Sequence, residues 1–247
     1  MTAALHPRVE AGAILFARYA FPPNRLGHCG PEASDTIREY ILAARSDGGL
    51  VALERRFEGA YPYLKLIAGA NAIADPFDRR VVEAYWIGNA CLDHVGQSAF
   101  YKSLVERFRP RMGSRAFHWL SAQIAEGARP HHNFHVFDVY LKAGLHRDPH
   151  ADVSLAHLDQ CRISWGKIVT VAGPELVVRR RPLVLRQGRL WLDPPQEVRV
   201  RWHGGAAAPG ENVSLHWDWA CEVLRLAALR ALVRETAASL ENANLII

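Results

Sequence analysis

The sequence predicts an α+β chain: an all-α domain over residues 1–152, then a small β-barrel with a C-terminal helix over residues 158–247. Two observations carry this reading. Up to about Ala151, apolar residues recur every three or four positions, the period of a helix buried on one face. From Ile168 onward, short β-branched runs alternate with tight turns, the pattern of a small barrel.

Taken in order, residues 9–19 form an apolar helical run that stops at Phe21-Pro22-Pro23-Asn24, because proline disfavours α geometry in the residue before it. Asn24 to Pro31 follows as an irregular loop rich in turn residues. Ser34 caps a helix reaching residue 45, with Ile37, Tyr40, Ile41 and Ala44 on one face. Residues 50–70 are helical, with a break near Tyr61-Pro62-Tyr63. Asp75-Pro76 reads as a helix start, an N-cap followed by proline in the first turn, leading into the bulky run at residues 81–88. Further helices are expected at 97–108, 116–125 and around 134–145, and residues 146–152 form a polar connector. Strands are expected at 168–171, 175–179, 182–186, 189–192 and 197–202, with turns at Ala172-Gly173-Pro174, Gln187-Gly188 and Asp193-Pro194-Pro195. A long amphipathic helix over residues 220–240 closes the chain.

The composition is that of an ordinary globular protein, with 49% hydrophobic and 22% charged residues. No apolar run approaches the roughly 20 residues a membrane span needs, so no membrane partner is expected. The first ten residues lack the features of a secretory signal. A cytoplasmic location with reduced thiols is the expectation. Cys29, Cys91, Cys161 and Cys221 show no CxxC spacing, which argues against a zinc ribbon and a thioredoxin-type pair. The net charge of +5 is concentrated at Arg179-Arg180-Arg181, Arg186, Arg189, Arg199 and Arg201. Their alternation along strands reads as a solvated face. Without interleaved stacking aromatics nucleic acid is not the favoured partner, and an acidic protein surface suits the charge better.

Two segments in the last third hold the strongest chemistry. Cys161-Arg162-Ile163-Ser164-Trp165-Gly166-Lys167-Ile168 places a cysteine just ahead of a strand. Pro209-Gly210-Glu211-Asn212-Val213-Ser214-Leu215-His216-Trp217-Asp218-Trp219-Ala220 places a histidine at a strand end. A barrel between them can bring thiolate and imidazole to one rim, a two-ligand platform for a transition metal. Each has a plainer reading as well: Cys161 as a small buried hydrophobe and His216 as a cap for the closing helix.

Residues 158–240 resemble the HypC/HupF family of [NiFe]-hydrogenase maturation chaperones, small barrels followed by a helix. Cys161, Gly166 and Ile168 match the family's leading C-[LI]-x-x-P-G-x-[VI] motif, with Trp165 in the place of its proline. Gly210, Val213, Leu215, His216, Trp219 and Ala220 match its late G-x-x-V-x-V-H-x-G-[FY]-A segment, with Asp218 in the place of a small residue. The resemblance implies a HypC-like (OB-like) barrel and an iron Fe(CN)2CO-type cargo linked to Cys161 and His216. It also implies docking on a HypD-like protein or a hydrogenase large-subunit precursor. In the family the cysteine is N-terminal, whereas here it is internal. Phe16 to Pro31 looks like an uncharacterised bacterial family found near hydrogenase genes.

Two further constellations lie in the helical region. In Pro130-His131-His132-Asn133-Phe134-His135, His131 and His135 share a helix face at i, i+4, the spacing of metal-binding helices. His132 stands where zinc hydrolases carry glutamate. The three histidines, with Asp138 nearby, form a candidate cofactor or substrate site, or a chance cluster in a chain of 12 histidines. His28-Cys29, set between a glycine and Gly30-Pro31, exposes a thiol that can serve as nucleophile or ligand, with Asn24 and Arg25 as neighbouring polar groups. The leading expectation is therefore a hydrogenase-maturation accessory protein rather than an enzyme, acting through Cys161 and His216. The rival is a small-molecule enzyme using Cys29, His28 and the His131/His132/His135 cluster, with the barrel as a docking module.

Overall fold

The structure, a computed structural model, describes residues 11–108, 114, 118, 127–140 and 151–245. The helix expected over 116–125 lies almost wholly outside the described residues, as do residues 146–150 of the connector expected over 146–152, while 151–152 open a helix instead. The chain is mixed α and β, a helical part followed by a closed barrel and a C-terminal helix, as the two periods in the sequence require.

Helix α1 (Gly12–Arg25) is the centre of the helical part. Ile14, Leu15, Phe16, Ala17, Tyr19 and Ala20 are all buried, so this helix is apolar on every side. Around it lie α2 (Ser34–Ala43), α3 (Gly48–Glu54), α4 (Tyr61–Ala70), α5 (Arg79–Trp86) and α6 (Gln97–Phe108). Gly12 starts α1 against the backbone of Phe77 to Arg79: a Cβ there would sit 1.9 Å from the Phe77 carbonyl oxygen.

Three helix boundaries differ from the sequence expectation. α1 runs through Pro22 and Pro23 instead of stopping before them. The prolines withhold the N–H groups that would bond the Arg18 and Tyr19 carbonyls, yet burial of the helix on all sides holds it in shape. α5 begins at Arg79 with Asp78 as its N-cap, its carboxylate accepting from the Arg80 N–H at 2.9 Å. Asp75 instead caps a local turn, accepting from the Phe77 N–H at 2.9 Å. The closing helix starts six residues late, because Trp219–Val223 is needed as a barrel strand.

A short helix α7 (His132–Phe134) runs straight into a π-helical turn (His135–Tyr140). Helix α8 (Ala151–Cys161), not expected from the sequence, leads into the barrel. The barrel strands are β1 (Ser164–Ala172), β2 (Glu175–Arg180), β5 (Gln196–Trp202), β6 (Asn212–His216) and β7 (Trp219–Val223), closed in the order β1-β2-β5-β7-β6. β5 and β7 run parallel, and all other neighbours are antiparallel. β3 (Leu183–Arg186) and β4 (Arg189–Leu192) form a separate hairpin. Gln187 and Gly188, both with positive φ, make its two-residue turn, the geometry whose twist matches the flanking strands. Ile168, Leu176, Val178, Val200, Val213 and Leu215 fill the barrel. Gly166 is sterically required, since a Cβ would meet Val178 Cγ1 at 2.3 Å.

Helix α9 (Leu226–Asn244) folds back over α7, the π-turn and β4. Ile163, Trp219, Cys221, Leu224 and Leu232 join the helical core, so one apolar cluster spans both parts of the chain. None of the described helices is long and apolar enough to cross a membrane.

A buried ionic knot fastens α8 to the barrel. Asp159 accepts from Arg162 Nε at 3.0 Å and from the Leu183 N–H at 2.9 Å, and its other oxygen pairs with Arg180. Arg180 also reaches Ser164 Oγ at 3.2 Å. Burial pushes the Arg162 guanidinium down to about 10, and the Asp159 charge opposes that shift. The other strand arginines behave as a solvated face: Arg179 pairs with Glu197, Arg199 with Glu175, and Arg201 with Asp218. Replacing Asp159 with alanine leaves two guanidinium groups uncompensated in the interior and is expected to cost about 3–5 kcal/mol. Glu197→Ala at the exposed pair should cost under about 1 kcal/mol. Urea denaturation of both variants measures the difference.

Candidate metal centre

The Pro22-Pro23 irregularity in α1 has a direct consequence for the site. In an uninterrupted helix the residue at position 23 would bond the Tyr19 carbonyl, but Pro23 has no N–H to give. That carbonyl accepts from His216 Nδ1 at 2.6 Å instead. A carbonyl only accepts, so Nδ1 carries the proton and Nε2 is left with its lone pair. Nε2 is buried, is turned toward the Cys161 backbone, and makes no well-formed hydrogen bond. Nε2 of His131 and of His203 is also buried without a partner, so what distinguishes His216 is the pair of possible ligands beside it.

Cys161 ends α8, and the segment after it is held by one side chain. Asn133, fully buried on α7, accepts from the Ile163 N–H at 2.8 Å and donates to the Ile163 carbonyl at 3.1 Å. Its amide also donates to Thr236 on α9 at 2.9 Å. This pairing sets the neighbouring His132 against Cys161. His132 Nε2 donates to the Cys161 carbonyl at 2.9 Å, and its Nδ1 accepts from the Tyr85 hydroxyl at 3.1 Å. Both His132 nitrogens are thus engaged, and ligation by His132 requires one of these two bonds to be exchanged for a bond to the ligand.

These bonds place His132, Cys161 and His216 together, with one ligand atom from each lying within 4.8 Å of the others. They line a cavity of about 160 Å³ walled by apolar and aromatic groups such as Ala20, Pro23, Phe57 and Trp86. Among the described residues no carboxylate lines it. Burial keeps the imidazoles neutral: His216 is pushed down to about 4, and burial with the nearby His216 holds His132 well below its usual value. Burial also raises the Cys161 thiol to about 12, with Cys29 adding to the shift. Neutral imidazoles are the metal-binding form, and a metal ion can displace a thiol proton that water cannot remove at neutral pH.

The two candidate sites of the helical region meet the barrel site here. His28 and Cys29 line the same cavity. His28 stacks on Trp217 at 4.5 Å and meets His157 edge-on at 4.6 Å. Asn24 holds the loop, its amide donating to the Cys29 and Pro31 carbonyls at 2.8 and 2.7 Å. Arg25 is not part of the cavity and pairs with Asp218. His135 lines the cavity and bonds the Tyr63 hydroxyl through Nδ1 at 3.3 Å. The expected pairing of His131 with His135 does not form. His131 is the extended N-cap of α7, accepting from the Asn133 N–H at 3.0 Å, and faces α9 near Glu235. The backbone keeps an i, i+4 bond here, His135 N–H to the His131 carbonyl at 3.2 Å, but the extended cap conformation of His131 turns its ring away from His135.

Tyr19, Tyr85, Asn133, His157 and Trp217 escaped the sequence reading. Two prolines inside an apolar run were the signal for Tyr19. Trp217 adopts φ 55°, a left-handed backbone that costs a bulky residue roughly 1–2 kcal/mol. Its N–H donates to the Gln160 carbonyl at 2.8 Å, which ties the turn after His216 to the end of α8.

Residues 8–247 match a family of unknown function, DUF6390. The chain belongs to this family. No curated protein matches it, and no solved structure does. The match spans helical part, barrel and α9 as one family unit, so a site built from both parts lies wholly within it.

The neutral buried histidines make folding pH-dependent. His131 and His216 have folded values of about 3 and 4, below the usual 6.5. The unfolded chain therefore takes up protons first, and the stability present above about pH 6.5 is lost as pH falls toward 4. Each histidine contributes a slope of up to about 1.4 kcal/mol per pH unit in that window. Urea midpoints at pH 7.5, 6 and 5 should fall steadily, and His131→Asn should flatten the slope.

Proposed function

We propose that this protein is a metal-carrying accessory factor whose cargo is held by Cys161, His132 and His216, and that it serves [NiFe]-hydrogenase maturation. The convergence of the three ligand atoms within 4.8 Å carries the metal reading. One thiolate and two imidazoles form a borderline-soft donor set that suits iron, nickel, copper and zinc rather than magnesium or calcium. The unpartnered Nε2 of His216 and the neutral state of both imidazoles fit a cation at this point. Orientation of His216 by a backbone carbonyl is the usual outer support of a metal-binding histidine.

The hydrogenase assignment rests on the register of Cys161, Gly166 and Ile168 with Gly210, Val213 and His216, which resembles the HypC motifs. Iron is the cargo this implies, and a HypD-like protein or a large-subunit precursor is the partner. Bound iron would supply the inorganic centre to be handed over, and the chain's own residues hold it dry and orient its ligands. An internal Cys161 is compatible with this role, because the end of α8 presents it to a cavity whose mouth carries the exposed His28 and Cys29.

The enzyme reading draws on one observation, that Cys29, His132 and His135 share the cavity. Cys29 is exposed as a residue, yet burial around its thiol pushes it up to about 12, which suits a metal-displaced thiol better than a free thiolate nucleophile.

Anaerobic equilibrium dialysis with Fe(II) should load the wild-type chain. Cys161→Ala, His132→Ala and His216→Ala should each lower affinity by roughly tenfold or more. Iron retained at full affinity by Cys161→Ala would overturn the ligand assignment. Co-purification with a HypD-like protein or a hydrogenase large subunit tests the pathway. Pro23→Ala offers a separate check, since it returns an N–H to compete for the Tyr19 carbonyl. It should leave the fold as stable or more stable while weakening Fe(II) binding.

A further inference from the structure

A divalent ion bound by one thiolate and two neutral imidazoles keeps a net charge of +1 in an apolar cavity, and uncompensated buried charge is strongly disfavoured. A second anion is needed, and among the described residues no carboxylate lines the cavity. Besides Cys161, the acidic groups on its wall are the thiol of Cys29 and the phenol of Tyr85. Tyr85 is the weaker candidate, because burial raises it well above its ordinary value and its hydroxyl is engaged by His132.

We infer that Cys29 is the fourth protein ligand, closing a neutral two-thiolate, two-imidazole site around a bare divalent ion. Cys29 is not part of the three-residue cluster within 4.8 Å, so it must move inward to bind. Its loop is built for a defined approach. Gly27 and Gly30, both with positive φ, bracket it, and Gly30 packs against the Phe57 ring, where a Cβ would lie 2.3 Å away. The neighbouring His28 stacks on Trp217, the residue that follows the ligand His216. The strained backbone of Trp217 is bonded to Gln160, the residue before the ligand Cys161. One tryptophan thereby links the Cys29 loop to both barrel ligands. On binding, two S–H bonds break, two metal–sulfur bonds form and two protons leave to solvent, with no change in oxidation state.

This inference rests on the metal reading above and not on the hydrogenase assignment, since its cargo is an ion that brings no anionic ligands of its own, unlike an Fe(CN)2CO-type group. Titration with Co(II) under anaerobic conditions separates it from the metal reading, because sulfur-to-cobalt charge-transfer absorption scales with the number of bound thiolates. The wild-type chain should show two-thiolate intensity and release two protons per ion in weakly buffered solution. Cys29→Ser, at an exposed loop position, should still bind, with absorption lowered by about half, one proton released and affinity reduced roughly tenfold or more. One-thiolate intensity in the wild type, unchanged by Cys29→Ser, would overturn the role of Cys29 and leave the three-ligand site standing. Absence of Co(II) binding by the wild type would overturn both.

Discussion

The bond from His216 Nδ1 to the Tyr19 carbonyl is the constraint on which the site depends, and it exists because Pro23 cannot compete for that oxygen. A proline in a helix interior usually counts as damage, at about 3 kcal/mol. Here the carbonyl it frees links α1, whose apolar residues are buried on all sides, to the strand-end histidine of the barrel. Tyr19 strengthens the same seam through its side chain, with its hydroxyl 2.7 Å from both Ser214 and Glu222 on β6 and β7. The cost in α1 is thus offset in packing between the two parts of the chain.

The rest of the site follows the same logic of unpaired or doubly used polar groups placed at a seam. Asn133 spends its amide on both backbone groups of Ile163, the arrangement a strand neighbour would make. That fixes the distance between α7 and the start of β1, and with it the approach of His132 to Cys161. Buried polar groups of this kind stabilise only when all partners are present. Each ligand is accordingly held by a bond from a different element: His216 from α1, His132 from α5 and α8, Cys161 through the Asn133 clasp beside it.

Much of the fold was readable because its signals are local. The five expected strands alternate clearly, and Gln187-Gly188 marks its hairpin by turn chemistry alone. The errors arose where tertiary demand outweighed local preference. Pro22-Pro23 reads as a stop in any isolated segment, and only burial on all sides lets α1 continue. Trp219-Ala220-Cys221 suits a helix start equally well, but closure of the barrel needs a strand between β5 and β6. In the site, Cys161 and His216 stood out in the sequence as a cysteine just ahead of a strand and a histidine at a strand end, and the structure brings the two together. His132 and His135 were visible as one cluster and do share the cavity, whereas His131, the extended N-cap of α7, turns its ring toward α9 instead. No sequence rule could have joined residue 132 to residues 161 and 216, because their meeting depends on Asn133 and on the path of α8.

Under the proposed metal-binding role, charge accounting fits a cavity that, among the described residues, has no carboxylate on its wall. A cavity lined by protonated thiols and neutral imidazoles has no net charge, so its walls can stay apolar. A divalent ion bound by two thiolates is also neutral, so the loaded state suits the same walls. The states between them, with one proton lost or one thiolate bound, leave a charge in a dry cavity and are disfavoured. Loading and unloading would therefore each tend to run to completion, with two protons crossing in the opposite sense to the metal. A carboxylate-lined site would hold its charge when empty, admit water and bind harder ions. The aromatic, sulfur-bearing wall between α1, α5 and the barrel favours an all-or-none exchange instead, which is the behaviour a metal carrier needs.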